Sequence, residues 1–215
     1  MLRPGWTDLK PGVVLMVLAL GALSAGCATV GKAPVGAASA ATTEAPSPEL
    51  QSTYDALLAR LQSTDATALT DLEKFSAAHP DLAGPLLTLG LARARAGDEA
   101  AAADCFQRAT RVCSSCGPAW NELGVLGRRQ GRFADAEQAY LRSIELQPDF
   151  APAYYNLAVL YELYIPRPEL ALQNYERYLQ VGGAEDASAD VEKWVADLRR
   201  RVGTTAKTAR TEGTP

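Results

Sequence analysis

The sequence contains one histidine, His79, few aromatic residues, and no long apolar run after residue 26. With one imidazole there is no histidine cluster to hold a metal, and no motif pairs His79 with a serine or cysteine nucleophile. His79 precedes Pro80 and reads as a helix-end or solvent-facing residue. No glycine-rich phosphate loop is present. Acidic residues outnumber basic ones, for a net charge of −4, and no basic face is concentrated enough for nucleic acid. Metal chemistry is sharply limited, nucleotide chemistry and nucleic-acid binding drop out, and no cofactor or small-molecule substrate is expected.

The first 26 residues form a unit of their own. Arg3 and Lys10 precede the apolar run Val13–Leu23, which is too short to cross a bilayer and fits the hydrophobic core of a secretory signal. Small residues Ser24, Ala25 and Gly26 lead to Cys27, and the stretch to Pro48 is almost wholly Ala, Thr, Gly, Ser and Pro. Leu23-Ser24-Ala25-Gly26-Cys27 resembles a bacterial lipobox, although the leucine stands one position further from the cysteine than is usual. An ordinary secretory signal cut near Ala25 or Ala28, or an uncleaved anchor, is the alternative. The resemblance implies cleavage before Cys27, acylation with palmitate-type chains, and a stable membrane anchor. Ala28, where retained lipoproteins often carry Asp, implies an outer-membrane, lipid-anchored protein facing the periplasm. Removing residues 1–26, which carry one net positive charge, leaves 189 residues at about −5.

The body of the chain repeats every 34 residues. Leu89-Gly90, Leu123-Gly124 and Leu157-Ala158 are in register, as are Leu86, Trp120 and Tyr154; Gly97 and Gly131; Ala102 and Ala136; Phe106 and Tyr140. Pro80 and Pro148 lie two periods apart. This resembles the tetratricopeptide repeat, a helix–turn–helix unit of that length with signature Trp-x2-Leu-Gly-x2-Tyr, Ala-x3-Phe and Pro. The unit 117–150 matches best and departs at Gly127, where the family has Tyr. The unit 151–185 has an extra residue near Ile165–Pro168, which moves Ala171 and Tyr175 by one position. The unit 83–116 matches at Leu86, Leu89, Gly90, Ala102 and Phe106, and a degenerate unit at 49–82 keeps Ala68, Leu72 and Pro80.

The resemblance implies an all-α, right-handed superhelical solenoid of helix pairs. A signal (1–26), a lipidated cysteine with flexible linker (27–48) and the repeats (49–185) precede an amphipathic capping helix (186–202) and a polar, disordered tail (203–215). Val191, Trp194, Val195, Leu198 and Val202 supply the apolar face of the cap.

In this family the first helix of each repeat lines a concave groove that grips protein partners. The groove positions carry over to Leu87, Leu91 and Arg95; Asn121, Val125 and Arg128; and Tyr155, Asn156, Val159 and Glu162. The same residues could instead pack within the solenoid. With Leu87 and Leu91 at its opening, the groove lacks the Lys/Asn arrangement that clamps terminal carboxylates in some relatives, and suits an apolar segment better.

Cys113-Ser114-Ser115-Cys116 lies where neighbouring units have Pro80 and Pro148. An exported chain permits a disulfide there, bracing a turn that lacks proline. Two free thiols, metal binding and redox catalysis are the alternatives. Cys105, beside Phe106, reads as a small buried apolar residue. The expectation is a non-enzymatic adaptor for protein partners of the cell envelope, with the layout of lipoproteins that assist type IV pilus, motility or secretion assemblies. A periplasmic thiol–disulfide protein using Cys113 and Cys116, or a purely structural envelope tether, is the alternative.

Overall fold

A computed structural model describes residues 46–212 apart from 64, 66 and 184. The signal segment, Cys27 and the linker up to residue 45 lie outside the described residues, as do 213–215. The described residues form helices only: α1 (Pro48–Gln62), α2 (Ala68–Ala78), α3 (Ala83–Arg95), α4 (Glu99–Val112), α5 (Gly117–Arg129), α6 (Phe133–Leu146), α7 (Ala151–Leu163), α8 (Pro168–Gln180) and α9 (Glu185–Glu212). Helix starts follow local chemistry. Ser47 and Asp98 accept from the backbone N–H of Leu50 (3.3 Å) and Ala101 (3.1 Å), and proline occupies the first turn of α1, α5, α7 and α8. Gly97 and Gly131 reverse the chain between paired helices at φ of 85° and 73°, a conformation that glycine takes without a Cβ clash.

The pairs α3/α4, α5/α6 and α7/α8 pack as hairpins, with α1/α2 ahead of them and α9 behind. The pairs α3/α4 and α5/α6 each close on an aromatic ring seated against a glycine. A Cβ on Gly90 would collide with the ring of Phe106, and one on Gly124 would lie 2.5 Å from that of Tyr140; both rings are fully buried. The period-34 pairing of small with aromatic residues therefore sets how closely the two helices approach. Helix α7 is buried on every side from Pro152 to Tyr161, as a helix with neighbours all round must be.

Trp120, the signature tryptophan of the unit 117–150 and large enough to fill the same inter-helix space, is only partly buried and faces an open groove with Gln107, Leu123 and Arg142. The buried share of that work falls to Phe106 and Tyr140. At the C-terminal end, Val191, Val195 and Leu198 of α9 are buried, and Trp194 packs on Tyr155 and Tyr175 at centroid distances of 6.3 and 5.8 Å. The helix also runs past the expected end at Val202, to Glu212. After Gly203 no glycine or proline interrupts it before Glu212, and Ala206, Lys207, Ala209 and Arg210 are good helix formers.

Candidate protein-binding face

Helices α3, α5 and α7 lie side by side, and their polar side chains record the stacking. Tyr54 Oη and Thr88 Oγ1, one period apart, share a 2.6 Å hydrogen bond. Asn156 donates to Asn121 Oδ1 at 3.0 Å, and Asn121 donates to Glu122 Oε1 at 3.0 Å. These bonds join α1 to α3 and α5 to α7, and the charge of Arg95 acts on Glu122 between α3 and α5, so Leu87, Leu91, Arg95 and Glu122 belong to one inner face.

The structure separates the expected groove residues into two groups. Leu87 and Leu91 are half-buried and Arg95 is exposed, so the inner face is open along α3. Val125, Tyr155 and Val159 are 3%, 1% and 1% exposed and belong to the core; they do not form an exposed apolar strip. Asn121, Asn156 and Arg128 are also buried. Glu162 is no groove-edge charge: its side chain is 5% exposed, accepts from Tyr175 Oη at 3.1 Å and pairs with Arg201 of α9 at 2.8 Å. The cause is α9. By laying Trp194 on Tyr155 and Arg201 on Glu162, it occupies the inner face of the last pair.

Glu122 is the inner-face residue that the groove positions omitted. Burial pushes its carboxyl up from 4.5 to about 7, against the lowering effects of the Asn121 hydrogen bond and the positive charge of Arg95. The signal was in the sequence, since Glu122 stands one period after Thr88. An acid whose folded pKa is raised binds more protons folded than unfolded. Its contribution is present at low pH and is lost as pH rises from about 4.5 through about 7. Glu122→Gln is therefore expected to raise the melting temperature at pH 8 and leave it nearly unchanged at pH 5, read by circular dichroism. Glu122 is half-buried, and an equal effect at both pH values would contradict a desolvated carboxyl with a raised pKa.

Cys113 caps the end of α4 and Cys116 the start of α5, and the two are joined by a disulfide with a Cα–Cα distance of 5.4 Å. The bridge closes the proline-free turn. Cys105 is buried 5% exposed in α4, and burial, then the charge of Asp104, raises its thiol pKa, the opposite of activation. Among the described residues no His, Cys, Asp and Glu group could hold a metal, and no helix is long and apolar enough to cross a membrane.

Two family models, each described as a tetratricopeptide repeat, match residues 87–151 and 139–179. A peroxisomal targeting signal receptor from Saccharomyces cerevisiae is 45% identical over 56 residues, which is 26% of this chain and 9% of the receptor. The chain thus spans about a tenth of the length of the curated relatives it matches. Pseudomonas aeruginosa pilF has a similar fold, with a TM-score of 0.61 over 78% of each chain at 20% identity. The first repeat domain of Spaghetti (RPAP3), bound to the HSP90 peptide SRMEEVD, superposes with a TM-score of 0.50 at 18% identity, over 56% of this chain and 93% of that one. With the 34-residue register, the stacked helix pairs and the two family-model matches, residues 87–179 are tetratricopeptide repeats, the architecture of a protein–protein interaction scaffold.

Proposed function

We propose that the chain is a non-enzymatic adaptor, anchored through acylated Cys27 to the periplasmic face of the outer membrane, that holds a protein partner on its inner face. The observation that carries the reading is the open stretch of that face along α3, where half-buried Leu87 and Leu91 stand beside exposed Arg95. Apolar side chains that stay partly accessible next to charge suit a partner segment with an apolar core and a polar rim. The repeat fold, the peptide bound by the RPAP3 domain, and the signal-like segment ahead of Cys27 support it. The layout resembles lipoproteins that assist type IV pilus, motility or secretion assembly, and one of these machines is the proposed setting.

Two variants separate the anchor from the face. Cys27→Ser is expected to release the protein from membranes and abolish acyl-chain labelling. Leu87→Asp with Leu91→Asp is expected to remain acylated, membrane-bound and helical while losing partner recovery from solubilised envelopes by tenfold or more. A soluble Cys27→Ser protein that keeps its label, or undiminished partner recovery by the double variant, would count against the corresponding half.

A further inference from the structure

Among the described residues, one buried cation has no counter-charge. Arg128, in the last turn of α5, is 8% exposed. Its Nε donates to Tyr140 Oη at 3.5 Å and its Nη1 to Tyr164 Oη at 3.4 Å, and its guanidinium carbon stands 5.6 Å from the centroid of the Tyr164 ring. Both bonds are long, and both acceptors are neutral phenols. No carboxylate of the described residues comes within ion-pair distance of it, and Nη2 has no hydrogen-bond partner yet is not sealed from solvent. Arginines that link other helices do have acidic partners: Arg93 with Glu73, Arg129 with Glu99, Arg167 with Glu137, and Arg201 with Glu162. A desolvated guanidinium without an anion is costly, and its planar fork is shaped for a carboxylate.

The surroundings fit a protein ligand. The turn between α7 and α8 carries the extra residue that breaks the repeat period, and it places Tyr164 over Arg128. Tyr164 is 39% exposed, packs on Phe133 at 5.2 Å, and adjoins Leu163, which is 41% exposed. These are two of the three large apolar residues most exposed among those described. A recessed positive charge beside exposed apolar side chains calls for an acidic residue flanked by apolar ones.

We propose that Arg128 anchors a glutamate side chain of the protein partner, with an adjacent apolar residue of that partner seated on Leu163 and Tyr164. This rests on the adaptor reading and names the chemistry of its partner. It adds a second contact region, at the turn end of the array, to the α3 face.

The test uses the full chain and two blocked tripeptides, acetyl-Leu-Glu-Leu-amide and acetyl-Leu-Gln-Leu-amide, titrated while the Arg128 Nε–H resonance is followed by NMR. The glutamate peptide is expected to give a saturable shift with at least fivefold tighter binding than the glutamine peptide. Arg128→Gln should erase that preference, and Arg128→Lys should keep part of it, both with wild-type circular dichroism. Equal titration by the two peptides, or a preference that survives in Arg128→Gln, overturns the proposal. So does a concentration-dependent dimer that Arg128→Gln abolishes, since the occupant would then be a second copy of this chain. Envelope capture separates the two readings. If Arg128→Gln recovers partners as the wild type does, the arginine anchor fails and the adaptor stands; if the wild type recovers none, the adaptor itself fails.

Discussion

Lysine at both Val125 and Tyr155 is expected to unfold the repeat array, with loss of the helical circular-dichroism signal at room temperature. Both side chains sit in the core, at 3% and 1% exposure, and Tyr155 is ringed by Tyr175, Tyr178 and Trp194. A lysine at either site would bring an ammonium into a buried core cluster. The effective cost of such a buried ion is several kcal/mol, against a total stability of roughly 5–15 kcal/mol for an ordinary domain. Read from sequence alone, these residues line an open groove, and the same pair of changes would spare the fold and remove only binding. A folded double variant with a near-normal melting temperature would restore that reading and displace the packed one.

Phe106→Ala should rank next, costing about 3–5 kcal/mol, as large-to-small changes at fully buried aromatics do. Phe106 has no exposed surface and its ring lies on Gly90, so its removal leaves a void between α3 and α4 that backbone already in contact can fill only in part. For a domain of this size the melting temperature would fall by about 6–20 °C. Trp120→Ala provides the control, because Trp120 borders an open groove and loses less contact. Thermal melts of the two variants side by side decide the matter. A larger loss for Trp120 than for Phe106 would mean that the signature tryptophan, and not the buried phenylalanine, closes this array.

The fold was legible because period 34 is written in residue size. Gly90 with Phe106 and Gly124 with Tyr140 name both sides of each hairpin contact, and no tertiary information is needed to pair them. The turns were legible for the same kind of reason, since Gly97 and Gly131 carry the positive φ that their positions suggested. The binding face was less so. Helical spacing places Val125, Tyr155 and Val159 on the inner side of their helices, but whether that side meets solvent depends on how neighbouring helices pack, and for Tyr155 on α9, whose docking is a long-range event. The apolar stripe of Val191, Trp194, Val195 and Leu198 announced a helix with something to cover; it did not say that Tyr155 was what it covers. Glu122 escaped notice, and Arg128 was legible as a groove position but not as an unneutralised charge, for a related reason. A charge becomes informative when its neighbours fail to neutralise it, and that is a property of packing.

The central claim is that the inner face along α3 holds a protein partner in the envelope. Site-specific photo-crosslinking in intact cells tests it most directly, with a photoreactive residue at Leu91 on the inner face and, for comparison, at Leu141, which is 47% exposed on α6. A discrete adduct of defined mass from Leu91, absent from Leu141, is the expected result. Adducts from Leu141 with none from Leu91 would place the partner on the outer helices and contradict the account.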